Sequence, residues 1–454
     1  MNAAPASPDP GPDLDALLTR PPWAEQPFLP GGPTFAEVQG MAAWLRRQLA
    51  GRETTVCLAT DDRALLAAAL LAALAGGPVL LLPFSFSAQA LAGMQRATGF
   101  TLALADQDRE LPPGIEVLRP CWGKTGAGPD QWIAAPDREL LRLYTGGSTG
   151  APQLWSKTGT NILAEALFLA AHFQVSPRDQ IVATISPAHI YGLLYSVALP
   201  LVSGATVSAA TPAFPEEIIR TVREQEATVL VAVPAQYRAL RAKPSLGPSL
   251  RLAFSSAGML DREDNTAFCH HNDAGIVEVY GSTETGGIGL RHRSRGEDGF
   301  TPYPTVAWTI SDQRLHIRSP YLSPGLPRDR NGFFIAGDRV EAWGETGFQL
   351  RGRADSITKV AGKRVDLEEI RDLIRAQPGV SDCLVLALPA SGGREHRLVA
   401  LVAGDAVTPE ALRPILAARF EPYALPRAIQ VVDRLPLKDN GKVDHAAVLR
   451  LFAP

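Results

Sequence analysis

The chain has 454 residues, 46% hydrophobic and 20% charged, with 40 Gly and 38 Pro. Gly and Pro together stay below the roughly 25–30% that marks low complexity, so a wholly disordered or fibrous chain is excluded. A formal net charge of −3 gives no global basic field for nucleic acid.

Residues 1–20 open with MNAAPASPDPGPDLD, which lacks a basic segment followed by an apolar one; they read as a disordered Pro/Asp tail and not as a signal peptide. No charge occurs from Ala64 to Gln95. Residues 64–83 are long and apolar enough to consider a bilayer span, but Gly76-Gly77-Pro78 breaks the run. A buried helix over 63–75, a turn and a buried strand over 79–82 are expected instead, with no membrane span. Further strands are expected at 55–59, 102–104, 140–144, 181–185, 228–233, 252–255 and 275–279. Helical patterns lie between several of them, over 162–173, 215–225 and 261–271. Such alternation implies largely parallel sheets covered by helices.

After Gly286 the pattern changes. Short strands at 306–310, 315–318, 332–335 and 347–350 have no helices between them and read as a β-rich subdomain. Beyond Asp355 come strands at 357–360, 363–365, 383–387 and 398–402, with helices at 367–376 and 409–420. The expected fold class is therefore α/β. A large multi-layered domain with mostly parallel sheets and a β-rich end spans 21–354, and a small α+β domain spans 355–454. The four cysteines (Cys57, Cys121, Cys269, Cys383) are dispersed and form no C-x-x-C, which implies a reducing, cytoplasmic setting. Cys269-His270-His271 has no second ligand pair at finger spacing, so no metal site is read there.

The sharpest motif is Tyr144-Thr145-Gly146-Gly147-Ser148-Thr149-Gly150-Ala151-Pro152. A strand enters a loop of glycines and hydroxyls. Glycines let the backbone approach a ligand, and free amides with hydroxyls suit phosphate oxygens. A Walker A loop is excluded because no G-K-[ST] closes it. Gly123-Lys124-Thr125 fails as well, because position 118 is Leu. Gly146-Gly147-Ser148-Thr149-Gly150 also fits G-x-S-x-G, so a serine hydrolase elbow stands as an alternative at this point.

Later motifs follow in order: Tyr280-Gly281-Ser282-Thr283-Glu284, Gly337-Asp338, Arg351-Gly352-Arg353-Ala354-Asp355, the Gly362 loop from Lys359 to Arg364, and Asn440-Gly441-Lys442-Val443-Asp444. Together with the glycine loop they resemble the adenylate-forming (AMP-binding) superfamily. Acyl-CoA synthetases, aryl-acid ligases and peptide-synthetase adenylation domains belong to it. A serine hydrolase requires none of these later motifs.

That resemblance implies ATP-dependent formation of an acyl-adenylate with loss of pyrophosphate, then transfer to a thiol. Coenzyme A or the phosphopantetheine arm of an acyl carrier protein is the implied acceptor, and Mg²⁺ the implied metal. By the same resemblance Thr145, Gly146, Gly147, Ser148, Thr149 and Gly150 hold phosphates. Tyr280 faces adenine, Gly281 and Ser282 lie against the nucleotide, and Thr283 sits near the α-phosphate. Glu284 is the implied Mg²⁺ ligand, Asp338 the ribose acceptor, and Arg353 a ribose or phosphate contact. Lys442 is the implied catalytic lysine, carried by a C-terminal lid domain that pivots near Asp355, with Gly362 in the thiol channel. His189, in Ser186-Pro-Ala-His189-Ile-Tyr191-Gly192, is implied at the carboxylate end of the acyl site. Gly258, Gly281 and Gly287 are expected to leave room for the acyl group.

Two departures from the family pattern stand out. Gln153 replaces the Lys that usually follows Pro152, and Gly146 takes a position commonly Ser or Thr. Lys157 is the nearest replacement for the missing charge. A non-catalytic nucleotide-binding relative is the alternative these departures raise. No acidic residue lies between Ser186 and Leu194, where amino-acid-activating domains place an Asp for the ammonium group. A buried ammonium needs such a partner, so the expected substrate is a carboxylic acid without an α-amine, and the resemblance to stand-alone aryl and fatty-acyl ligases implies an aryl or fatty acid.

Overall fold

In the computed structural model Arg63 and the uncharged stretch after it form the helix Arg63–Leu74, buried along its whole length. The structure describes residues 14–19, 21–52, 55–123, 132–146, 152–354, 357–360, 363–389, 396–405, 407–437 and 443–452. Asp62 caps the helix, its carboxylate accepting from the amides of Ala64 at 2.8 Å and Leu65 at 3.2 Å. Arg63 is buried with it. Its guanidinium donates to the Ala209 carbonyl at 2.9 Å and the Thr211 hydroxyl at 2.8 Å. Burial pulls its pKa down to about 10, against the opposing pull of Asp61 and Asp62. The turn at Gly76 leads into the strand Leu80–Leu82. No helix among the described residues is long and apolar enough to cross a membrane.

Part of the expected tail is ordered. Asp15–Leu18 forms a short helix that buries Leu14 and Leu18, and Gln39 donates to the Leu17 carbonyl at 3.3 Å. Apolar residues at i and i+4 give this turn a face to bury, which the Pro/Asp composition concealed.

Two compact units are present: residues 1–307 with 318–332, and residues 308–317 with 333–454. The first holds two sheets. A six-stranded sheet runs in the order Glu116–Leu118, Leu102–Leu104, Val56–Leu58, Leu80–Leu82, Glu139–Gly146, Pro152–Thr158. Its pairings are parallel except the last, an antiparallel hairpin. A seven-stranded sheet runs Thr301–Pro302, Gly286–His292, Ile276–Ser282, Leu252–Ser255, Val229–Ala232, Gln180–Ala183, Thr206–Val207. Its last five strands are mutually parallel, and the first two join antiparallel. The central strands are continuous apolar runs because both faces are covered.

The second unit contains a four-stranded sheet of Ala307–Ser311, Arg314–Arg318, Phe334–Trp343 and Gly347–Arg353. It also holds the hairpin Ile357–Val360/Lys363–Asp366 and a three-stranded sheet of Val380–Pro389, His396–Gly404 and Ala428–Val432. The β-rich segment thus groups with the C-terminal elements, whereas the sequence reading places it in the large domain. Two contacts bind them. Arg339 pairs with Asp366, which caps the helix Leu367–Arg375, and Gly352 lies against Glu368. Ile370 and Ile374 of that helix pack on Val385, Leu398 and Ala400 in a separate small core.

Candidate active site

In the first unit each described site residue except Gly287, near the start of the strand Gly286–His292, lies at or just beyond the C-terminal end of a strand. In open α/β sheets ligands bind in the crevice outside those ends. Thr145 and Gly146 end the strand Glu139–Gly146. Gly147, Ser148, Thr149 and Gly150 lie outside the described residues. The chain returns directly as the antiparallel strand Pro152–Thr158, with Thr145 opposite Gln153 and Gly146 opposite Pro152. A nucleophile elbow runs from strand into helix. The next described element here is an antiparallel partner strand and not a helix, and the hydrolase alternative is not supported.

His189 follows the strand Gln180–Ala183 and is half-buried at the start of the helix Ile190–Leu193. Its loop is fixed by Ser186. The Ser186 hydroxyl accepts from the Ala188 amide at 3.1 Å, and the Ser186 carbonyl accepts from the His189 amide at 3.2 Å. A Cβ at Gly192 would lie 2.1 Å from the Ser186 carbonyl oxygen, so only glycine closes this turn. The helix then widens into a π turn, Leu194–Ala198. Pro200 has no amide for the Ser196 carbonyl, which accounts for the break in the α ladder.

The strand Ile276–Ser282 extends further than the sequence reading, so Tyr280, Gly281 and Ser282 belong to it. A hairpin pairs Gly281 with Gly287 and Ser282 with Gly286, and it displays Thr283 and Glu284 at its tip. Ser282 and Thr285 lock this tip. Their hydroxyls lie 2.9 Å apart, and the Ser282 amide donates to the Thr285 hydroxyl at 3.0 Å. Tyr280 packs against Phe300 with ring centroids 5.5 Å apart. Beneath it, Glu278 and Arg291 form a buried ion pair at 2.7 Å, joined by Arg293 at 2.8 Å.

Two of the three glycines expected to open the acyl site do something else. The space beside Gly287 is filled, since a Cβ there would lie 2.5 Å from both the Glu165 carboxylate and the Tyr303 hydroxyl. At Gly281 a Cβ would lie 2.3 Å from the Gly286 carbonyl oxygen. Both glycines serve close packing within and beneath the hairpin. Gly258 differs, with no atom nearer than Pro234 at 3.6 Å.

Lys157 does not supply the charge missing at Gln153. It is almost wholly buried, and its ammonium donates to the Tyr321 carbonyl at 2.9 Å and the Glu284 carbonyl at 3.3 Å. Burial lowers its pKa to about 8, opposed by Glu165 and Glu284. Burial also raises Glu165 to about 7, opposed by Lys157 and the Gly287 amide. Glu165 was missed by the sequence reading. The i, i+4 spacing of Asn161 and Glu165 at the start of the helix Gly159–Phe173 was the available signal.

In the second unit Asp338 and Arg353 face each other across the strands Phe334–Trp343 and Gly347–Arg353. The Arg353 guanidinium reaches over Gly337, 3.3 Å from where a Cβ would stand. Asp355, Gly362 and Lys442 lie outside the described residues. A surface cavity of about 490 Å³ lies elsewhere in the first unit, beside Asp137, Asn161 and Arg328. None of the predicted site residues lines it, and the Asp137 carboxylate is already engaged by Thr160 at 2.9 Å. The strand-end cluster is therefore the better candidate.

Comparison with known proteins bears on the same residues. The family described as AMP-binding enzyme matches residues 34–332, and AMP-binding enzyme C-terminal domain matches residues 369–442. A 4-coumarate–CoA ligase of Rhodobacter capsulatus is 30% identical over 301 residues, covering 66% of this chain and 73% of that protein. An anthranilate–CoA ligase of Pseudomonas aeruginosa is 27% identical, covering 70% of this chain and 67% of its own length. The crystal structure of ATP-bound MatB from Rhodopseudomonas palustris has the same fold, with a TM-score of 0.81 over 97% of this chain and 98% of that one, at 20% identity.

Proposed function

The chain belongs to the AMP-binding enzyme family, and on that premise we propose that it activates a carboxylic acid without an α-amine, aryl or fatty, and passes the acyl group to coenzyme A or a carrier-protein phosphopantetheine. It is an AMP-forming acid–thiol ligase. In the first step a carboxylate oxygen attacks the α-phosphorus of ATP, the bond to the bridging oxygen breaks, and pyrophosphate leaves. In the second the thiol sulfur attacks the acyl carbon, AMP leaves, and the thiol proton is released.

The observation that carries this reading is the hairpin tip at Thr283 and Glu284, locked by Ser282 and Thr285 at the C-terminal end of a parallel strand. The loop from Thr145 to Gly150 takes the terminal phosphates. Tyr280, packed against Phe300, faces adenine, and Gly281 and Ser282 border the nucleotide. Thr283 donates to the α-phosphate. Asp338 accepts from the ribose hydroxyls, where charge strengthens the bond, and Arg353 approaches the same group. Lys442 bridges carboxylate and α-phosphate oxygens and stabilises charge as it develops. It lies on the proposed lid, residues 355–454, which turns about Asp355 between the two steps, a turn that parts Arg339 from Asp366 and brings the Gly362 loop to the thiol.

Among the described residues no group of three or more His, Cys, Asp or Glu is placed to hold a metal. A metal at Glu284 would therefore share one carboxylate with substrate phosphates, which suits Mg²⁺. Bound there, it would neutralise phosphate charge. His189 and Gly258 border the acyl group. The absence of an acidic residue from Ser186 to Leu194 supports an acid without an ammonium group, and relatives named for 4-coumarate and anthranilate support the aryl class. The need for ATP and a thiol acceptor supports a cytoplasmic location, and the four dispersed cysteines agree with it.

Acid-dependent exchange between ATP and pyrophosphate, run across a panel of aryl and fatty acids, tests the reading. Exchange with at least one such acid is expected. Nucleotide binding with no exchange for any acid overturns it. Lys442→Ala is expected to abolish exchange but to spare thioester formation from a supplied acyl-adenylate.

A further inference from the structure

The turn that carries Thr283 and Glu284 is gripped from below at two points. In its middle the Glu284 carbonyl accepts from the Lys157 ammonium at 3.3 Å and the Ser323 amide at 2.8 Å. At its C-terminal end the Gly287 amide donates to the Glu165 carboxylate at 2.9 Å. Lys157 lies near the end of the strand Pro152–Thr158, which runs straight into the helix Gly159–Phe173, and the first turns of that helix carry Asn161 and Glu165 on one face. Asn161 completes the grip on the neighbouring segment, donating to the carbonyls of Pro320 at 2.6 Å and Leu322 at 3.2 Å. Lys157 bonds the Tyr321 carbonyl between those two at 2.9 Å. The cation thus holds an acceptor and the anion a donor of the same turn. Each charge is buried, and each is stabilised by the other. Gly286 and Gly287 allow this approach, since a Cβ at either would lie within 2.8 Å of a Glu165 oxygen.

Burying two ions costs more than their attraction returns unless hydrogen bonds satisfy them as well. A pair of apolar residues would pack this helix face more cheaply. What the ions supply is direction: they fix where a backbone carbonyl and a backbone amide lie, the carbonyl of Glu284 itself and the amide three residues after it.

We propose that Lys157 and Glu165 are positioning residues that set the turn at 282–287 and thereby aim the Glu284 carboxylate. The proposal rests on the reading of Glu284 as the residue that takes Mg²⁺ with the nucleotide. Residues that orient a metal ligand typically contribute about 10–100-fold to metal affinity.

The test is calorimetric titration of the full-length protein with ATP, in excess Mg²⁺ and in EDTA. The wild type is expected to bind ATP more tightly with Mg²⁺. In Lys157→Met that Mg²⁺-dependent gain falls by ~10-fold, while affinity in EDTA stays at the wild-type value. Lys157→Arg, which keeps the charge and the donors, recovers most of the gain. A merely structural lysine would lower both affinities together, and that result overturns the proposal. So does a Lys157→Met protein whose Mg²⁺-dependent gain matches the wild type. If Lys157→Met does not fold, Glu165→Gln is read in its place. It keeps an acceptor for the Gly287 amide but leaves Lys157 without its counter-charge, and an undiminished gain overturns the pairing. A wild type with no Mg²⁺-dependent gain overturns the reading of Glu284 itself, an outcome distinct from the others.

Discussion

The Ser186 hydroxyl donates to the Asp61 carboxylate at 3.2 Å, and so ties together loops that follow strands of two different sheets. Asp61 follows Val56–Leu58 in the six-stranded sheet, and Ser186 follows Gln180–Ala183 in the seven-stranded sheet. Arg109 completes the link. It donates to the other Asp61 oxygen at 3.0 Å and lies 4.0 Å over the ring of Phe86. Ser186 in turn holds the Ala188 and His189 amides. The position of His189 therefore depends on a carboxylate 128 positions earlier in the chain.

Asp61→Ala should loosen the His189 loop without unfolding the protein. Hydrogen bonds to a charged group contribute roughly 1.5–3 kcal/mol, and Asp61 makes one to each neighbour. Because Asp61 is partly exposed, the effect on global stability should lie at the low end of that range. The expected signature is a KM for the acid raised by ~10-fold, since 1.4 kcal/mol is a factor of ten, with the KM for ATP little changed. Asp61→Asn keeps acceptor and size and should recover part of the loss. Steady-state exchange kinetics on the two variants distinguish these outcomes.

The glycines at the hairpin give a contrasting pair. Gly287→Ala places a methyl 2.5 Å from Glu165 and Tyr303, both packed in the interior. Overpacking of this kind costs about 1–3 kcal/mol. Gly258→Ala meets only Pro234 at 3.6 Å, ordinary van der Waals contact. Thermal melting should therefore separate them: a lower Tm for Gly287→Ala and an unchanged Tm for Gly258→Ala. In the acid panel, Gly258→Ala should shift preference toward smaller acids. An unchanged acid profile would remove Gly258 from the acyl site.

Much of this was legible in sequence, for a physical reason. Strands such as Leu80–Leu82 and Val229–Ala232 are covered on both faces and show up as unbroken apolar runs between turn residues. The motifs from Thr145 to Glu284 were legible through their resemblance to the adenylate-forming superfamily, and their described residues fall at strand ends and in the loops that follow. The strand Pro152–Thr158 was not, because PQLWSKT has neither an apolar run nor clean alternation. Lys157 was misjudged for a related reason. A lysine in a polar segment is ordinarily solvated, and its burial here depends on carbonyls at 284 and 321, far along the chain. The grouping of 333–354 with the C-terminal elements rests on pairings such as Arg339 with Asp366, which no local pattern contains.

The ion pair under Tyr280 gives a stability prediction. Glu278 is buried between Arg291 and Arg293, and Arg291 lies 4.2 Å over the Phe300 ring that backs Tyr280. Glu278→Ala leaves a buried guanidinium without its counter-charge. Removing one partner of such a pair costs about 3–5 kcal/mol. Urea unfolding should show that loss. Weaker ATP binding should accompany it in the fraction that stays folded, because Arg291 no longer fixes Phe300 behind the tyrosine.

Asp179 supplies the pH dependence. Burial by itself would raise its pKa, but the carboxylate accepts from Arg251 at 2.8 and 2.9 Å, from the Thr228 hydroxyl at 2.7 Å and from the Ser176 amide at 2.9 Å. These partners prevail and hold it below the usual range. The folded state therefore binds the Asp179 proton less readily than the unfolded state does. Its contribution to stability is complete above the unfolded pKa, about 3.9, and is lost as pH falls through the lower folded value. Unfolding free energy measured in urea should decline on acidification below about pH 5. Asp179→Asn removes this titration, so the variant should be less stable than the wild type at pH 7 and should lose less on acidification. Arg251 is 42% exposed, so salt screens part of its share, and the acid limb should flatten when ionic strength is raised. Equal acid limbs for the wild type and Asp179→Asn would show that other carboxylates carry the acid sensitivity.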